Sequence, residues 1–197
     1  MRVVAVVGTP GVGKTTLCSF LSKKYGHRHV EVGSLVTAGG FYSGYDVKRH
    51  APIADLRKLR REVQRIVRRS ESSVILLDGH YAYDLMTDAT AFGVFVMRYD
   101  PIRLYRRSVR LYDVRRAREN CVSEFLGTIA FEARRPRRRV TDTDCTGLSV
   151  PRIAARFERC LVGRSFPRTP PIDWTERLSK RSLRRFLRIV ETQVLLG

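Results

Sequence analysis

No run of about eighteen apolar residues occurs anywhere in this chain, so no segment can cross a membrane as a helix. The N-terminus shows no charged, apolar and small-residue succession of a signal peptide. Only four cysteines are present, Cys18, Cys121, Cys145 and Cys160, far apart and without a C-x-x-C pair. That spacing speaks against a zinc site and points to a reducing, cytoplasmic setting, with a disulfide in a hyperthermophile's cytosol as the alternative. Internal repeats and low-complexity linkers are also absent, and 197 residues with 43% apolar side chains suffice for one domain with a real core. Acidic residues are the last scarcity. Nineteen Asp and Glu face thirty-eight Lys and Arg, a net charge of +19. A nucleotide pocket needs only a few cations, so the excess indicates either a polyanionic partner such as RNA or a general Arg bias on solvated faces. Arg outnumbers Lys, which suits bidentate phosphate contacts.

What is present is concentrated in one place. Residues Gly8–Thr15 read GTPGVGKT, the phosphate-binding pattern G-x-x-x-x-G-K-[ST]. The apolar run Arg2–Val7 leads into it as a strand, and Thr15–Lys24 leaves it with a helical pattern. In that context Gly11, Gly13 and the backbone N–H groups cradle phosphate oxygens at a helix N-terminus. Lys14 supplies a charge for the β- and γ-phosphates, Thr16 follows in the same turn, and the Thr15 hydroxyl is placed for Mg²⁺. Ser73–Leu77 is a continuous apolar run ending in Asp78-Gly79-His80, where a carboxylate that holds Mg²⁺ through water belongs. His80 stands two residues on. It either orients an attacking water or the accepting phosphate, or is a loop histidine bonded to backbone.

Further along, His29–Val32 reads as a short strand, Ile53–Arg69 as a helix with an apolar stripe and a basic face, and Gly93–Arg98 as another buried strand. Ile102 to about Arg135 reads as a long helical stretch with a break near Leu111–Tyr112. Arg138–Thr143 reads as a strand and Val150–Val162 as a helix. Strands alternating with helices predict an α/β fold: a doubly wound parallel sheet with helices on both faces and ligands at the carboxyl ends of the strands. Residues 163–174 are Pro-rich and irregular. Beyond them Leu183, Phe186, Leu187, Val190 and Val194 form an apolar stripe offset from Arg181, Arg184, Arg185 and Arg188. This basic amphipathic helix, about 176–197, either docks on the core or binds a partner.

The loop GTPGVGKTT, the stretch VILLDGHYAY and the segment RYDPIRLYRRSVRLYDVRRARENCVSE together resemble the adenylate kinase isoenzyme 6 family, which includes archaeal adenylate kinases and the eukaryotic coilin-interacting nuclear ATPase proteins. TDTDCTGLSV and Ile172-Asp173-Trp174 are similar to its archaeal branch. The resemblance covers about residues 1–175. It implies a P-loop NTPase of nucleoside monophosphate kinase type with a short lid, transferring phosphoryl from ATP to AMP with Mg²⁺, and also an ATPase. It further implies a part in small ribosomal subunit maturation, with the universal eleventh small-subunit ribosomal protein and rRNA as partners. By position, Gly11, Gly13, Lys14, Thr15 and Thr16 would hold ATP, and Asp78 and His80 would form the Walker B pair. The lid would span about 109–119 with Arg110 on the nucleotide phosphates, and the monophosphate region about 32–55. Two departures stand out. Leu111 replaces the lid glycine, which removes easy access to φ > 0. Lys48, Arg49 and His50 follow Gly44-Tyr45-Asp46 where the family carries acidic residues. The basic tail is also longer than the family's.

Overall fold

The computed structural model describes residues 1–47, 51–134 and 138–194. Five parallel strands form the central sheet: β1 (Arg2–Val7), β2 (Arg28–Glu31), β5 (Val74–Asp78), β6 (Ala91–Arg98) and β7 (Val140–Asp144), in the order β2-β5-β1-β6-β7. β3 (Tyr42–Asp46) and β4 (Ala51–Ala54) make a separate antiparallel pair. The alternation along β1 explains the two-sided core. Val3, Ala5 and Val7 point to one face, where they meet α2 (Val32–Ala38), α3 (Leu56–Arg69) and α6 (Thr128–Ala133). Val4 and Val6 point to the other, against α1 (Lys14–Tyr25) and α7 (Val150–Leu161). Both faces are covered, which is why β1 and β5 are apolar at nearly every position. The fold is the doubly wound P-loop architecture that the alternation predicts.

Several boundaries differ from the pattern reading. Ile53 lies in β4, and α3 begins at Leu56 because the Asp55 carboxylate caps the backbone N–H groups of Arg57 and Lys58. Val32 opens α2, so β2 ends one residue earlier. The stretch from Ile102 is three helices: α4 (Pro101–Ser108), α5 (Val114–Leu126) and α6. Asp113 caps α5, and Gly127, at φ +67°, ends it and starts α6. The strand expected from Arg138 starts at Val140. The expected lid is therefore a five-residue turn, 109–113, followed by the first half of α5.

At the C-terminus, α8 (Trp174–Arg177) and α9 (Lys180–Val194) follow the irregular stretch. Phe186 of α9 is buried and stacks on Phe125 of α5 with ring centres 4.0 Å apart, and Ile102 and Cys121 complete this small core. The helix thus docks on α4 and α5, with Leu187 half exposed and Arg181, Arg184, Arg185 and Arg188 facing solvent. All four cysteines are free and buried, and no described helix is long and apolar enough to cross a membrane.

Candidate active site

β1 sits at the sheet centre, and the chain turns from its carboxyl end into the glycine loop and then α1. Gly8 takes φ +146°, and a Cβ there would lie 2.4 Å from the Met97 carbonyl oxygen, so only glycine lets the loop leave between β1 and β6. Gly13 takes φ +102° and caps α1 without a side chain, leaving the first N–H groups of the helix for a ligand. Lys14 Nζ folds over the loop and donates to the carbonyls of Gly8 (2.9 Å) and Thr9 (3.3 Å). Burial pushes its pKa down, against the pull of Asp78.

Parallel register brings the second acid alongside. Val6 of β1 pairs with Asp78 of β5, and Gly79 N donates to Val6 O. Asp78 is buried, and its Oδ2 lies 3.2 Å from His29 Nε2 on β2. A cleft of about 320 Å³ opens above, and Gly11, Gly13, Lys14, Thr15, Thr16, Asp78 and His80 all line it. His80 stands at its mouth, its ring edge-on to Tyr81 with centres 4.5 Å apart. Surrounding atoms first, and then the Lys14 charge, hold its imidazole below the ordinary pKa, which favours its neutral form. Glu31, Val32 and Gly33, where β2 passes into α2, line the cleft on another side. Lys48, Arg49 and His50 lie outside the described residues.

Arg110 is exposed in the 109–113 turn and does not line the cleft. The arginine that does is Arg107, one turn earlier on α4, whose guanidinium lies about 3.9 Å from where a Cβ on Gly13 would stand. Leu111 and Tyr112 line the same wall, and Arg116 stacks over the Tyr112 ring at 5.2 Å. The sequence offered a signal for Arg107 only in the run Arg106-Arg107 at the end of an amphipathic helix, which does not say which arginine turns inward.

A second cluster ties the loop to the rest of the molecule. Thr9 Oγ1 donates to Glu124 Oε2 (2.5 Å), and Glu124 Oε1 accepts from Arg98 Nε (2.7 Å), Tyr99 N (3.1 Å) and Trp174 Nε1 (3.1 Å). Arg98 also donates to Asp142 Oδ2 (3.2 Å) and to the carbonyls of Glu124 and Ile172. Arg134 binds the other oxygen of Asp142 at 2.7 Å. These groups join the glycine loop, α5, β6, β7 and the Ile172–Trp174 stretch in one buried network.

The residues fit a nucleoside triphosphate with Mg²⁺. The loop offers unpaired N–H groups at a helix N-terminus, and a movable lysine amine covers it. Thr15, exposed at the start of α1, and the buried carboxylate of Asp78 line the same cleft. Fold and site together define a P-loop NTPase of the kinase-like α/β class. A family model for the AAA domain matches residues 4–127, and the chain belongs to that family. It is similar along most of its length to archaeal proteins named "Putative adenylate kinase". The one from Methanosarcina barkeri is 29% identical over 80% of this chain and 85% of its own. That from Thermococcus onnurineus is 27% identical over 90% and 94%, and that from Saccharolobus islandicus 29% over 94% and 92%. The resemblance read from the motifs thus extends over nearly the whole chain. Among solved structures, shikimate kinase from Bacteroides thetaiotaomicron superposes with a TM-score of 0.56 at 13% identity, covering 81% of this chain and 98% of its own, a likeness of fold.

Proposed function

We propose that this protein is an adenylate kinase: it transfers the γ-phosphoryl group of ATP to a nucleoside monophosphate, chiefly AMP, and hydrolyses ATP slowly when no acceptor is bound. The observation that carries this reading is the single cleft that joins the glycine loop to Asp78, with Glu31–Gly33 on one side and Arg107 and Tyr112 on the other. Two phosphate-bearing ligands could meet end to end across it. The archaeal relatives' names support the same reaction class.

Catalysis of this kind needs positioning and charge neutralisation more than covalent chemistry by the protein. The glycine loop holds the donor phosphates, Lys14 moves from the Gly8 and Thr9 carbonyls onto them, and Arg107 approaches from the opposite wall. Mg²⁺, held by Thr15 and, through water, by Asp78, would neutralise the β- and γ-oxygens when bound. Neutral His80 accepts or donates a hydrogen bond at the acceptor side without adding charge. Closure of the 109–113 turn would bring Arg110 over the cleft and exclude water.

The two arginines separate the open geometry from the closed one. ADP formation from ATP and AMP by Arg107→Ala is expected to fall by about a hundredfold or more in kcat/KM, and Arg110→Ala to lose less. Steady-state rates measured on both variants check this order. A reversed order would make Arg110 the principal phosphate ligand.

A second reading is an ATP-driven assembly role on rRNA with a small-subunit ribosomal protein, in the cytoplasm. The exposed face of α3 supports it: Arg57, Arg61, Arg68 and Arg69 face solvent there. The Arg134–Arg139 cluster contributes less than its composition implies. Arg134 is bound to Asp142, and Arg138 lies 3.5 Å from Asp84, while residues 135–137 lie outside the described residues. RNA binding through the α3 face would weaken steeply between 50 and 200 mM salt, and an Arg61→Glu/Arg68→Glu variant would flatten that slope. Filter binding with a structured RNA measures it, and no binding at low salt would remove direct RNA contact.

A further inference from the structure

Around Asp78 lies a group of potential metal-ligand atoms. Cys18 Sγ, a nitrogen of His29 and a carboxylate oxygen of Asp78 lie within 4.8 Å of one another. They come from α1, β2 and β5, three elements fixed by the core rather than by loops. The His29–Asp78 separation is 3.2 Å. Two ligands of a tetrahedral Zn²⁺ stand roughly 3.5 Å apart, given metal–ligand bonds of about 2.0–2.3 Å, so the three groups form three corners once they close from within 4.8 Å to that spacing. Cys145 and Cys160 donate their thiols to backbone carbonyls, whereas the Cys18 thiol makes no hydrogen bond among the described residues.

We propose that Cys18, His29 and Asp78 form a binding site for a borderline-soft divalent cation such as Zn²⁺, distinct from the Mg²⁺ position and sharing one carboxylate with it. The donor chemistry separates the two ions. Thr15 and Asp78 offer only oxygen, the choice of Mg²⁺. One turn deeper on the same face of α1, Cys18 adds sulfur and β2 adds imidazole, a set that selects Zn²⁺ or Co²⁺ over Mg²⁺. A bound divalent ion ionises the coordinating thiol outright. With three protein ligands, the fourth position is open to water. Because Asp78 cannot serve both ions in the same geometry, occupancy of the deeper site withdraws the carboxylate from Mg²⁺ and holds the enzyme inactive. The ligand geometry does not depend on which phosphate acceptor the cleft takes, whereas its effect on activity rests on the proposed Mg²⁺ role of Asp78.

The test uses the full chain, stripped of metal and free of nucleotide. Titration with Co²⁺ is expected to produce a thiolate-to-metal charge-transfer band in the near ultraviolet, saturating at one ion and bleached by Zn²⁺. Cys18→Ser should abolish the band, and His29→Gln should weaken binding by about tenfold or more. X-ray absorption on the wild-type zinc complex reads the ligands without any variant: one sulfur at about 2.3 Å with nitrogen and oxygen at about 2.0–2.1 Å. A zinc shell without sulfur, no thiolate band in the wild type, or a band that persists in Cys18→Ser would each overturn the assignment.

Discussion

Lys14→Met is expected to lose ADP formation by a factor of about a hundred or more while its nucleotide-free fold becomes no less stable. Both halves follow from the same burial. The ammonium sits over the glycine loop, where desolvation pushes its pKa below the ordinary lysine value. The folded state then binds that proton more weakly than the unfolded chain, whose lysine titrates near 10.4. Stability therefore rises as pH climbs from the folded pKa towards the unfolded one, and below both the charged amine carries its full cost. Methionine keeps the stem and removes the charge. The buried carbonyls of Gly8 and Thr9 lose a donor, which offsets part of the gain from removing a buried charge. The melting temperature without ligand should hold or rise. The increase that saturating Mg²⁺ and ATP produce in the wild type should largely vanish, since a ligand stabilises in proportion to its affinity for the folded state. Thermal unfolding with and without nucleotide, beside an ADP assay, tests both. An active Lys14→Met enzyme would sink the proposed function.

Arg98→Met should produce the largest loss of stability, about 3–5 kcal/mol. Its guanidinium is almost wholly buried between Glu124 and Asp142 and also satisfies two backbone carbonyls. Removing it leaves Glu124 charged in a dry site with only Thr9, Tyr99 N and Trp174 as donors. Asp142 keeps Arg134 and so suffers less. For a chain of this length the loss corresponds to a fall in melting temperature of about 6–20 °C. The pH dependence identifies the cause. Burial already holds the Glu124 carboxyl above its ordinary value, and Arg98 is the strongest opposing influence. Without Arg98 the folded pKa rises further, so the folded state binds the proton more tightly than the unfolded one. The deficit should be fully present above that pKa and shrink as pH falls through it towards about 4.3. A deficit independent of pH would place the damage in packing instead. Since Thr9 is the loop residue next to Gly8, a weakened network should also loosen the glycine loop and raise KM for ATP.

The parts of this molecule that were legible in sequence are those in which local chemistry decides the structure. GTPGVGKT is contiguous, and its glycines can take few other conformations between a strand and a helix. Asp78 was legible because a charge that ends a five-residue apolar run must lie at a strand terminus. The β3–β4 hairpin was not, because its strands are largely exposed and carry no alternating pattern. The break near Leu111–Tyr112 was legible, but its bounds and the second division of the 102–133 stretch at Gly127 were not. Asp113 and Gly127 read as ordinary polar and small residues until their capping roles are seen.

Arg107 and Arg110 show the limit most clearly. Three residues apart on a continuous helix they would share a face, and either could reach a phosphate. α4 ends at Ser108, so Arg110 leaves in a turn while Arg107 stays over the loop. A residue or two in the position of a helix end reverses which arginine lines the cleft. Similarly, Ile172 and Trp174 read as part of a family signature, whereas in the fold they close the Arg98–Glu124 network. By itself the sequence determined the fold and placed a phosphate-binding loop beside a strand-end carboxylate, because those elements are short-range and their alternatives costly. Only the tertiary structure decided which arginine faces the loop, which buried charges pair, and that Cys18, His29 and Asp78 meet. Residues 11 and 49 positions apart share a site only when parallel strands and a packed helix bring them together, and no spacing rule along the chain encodes that.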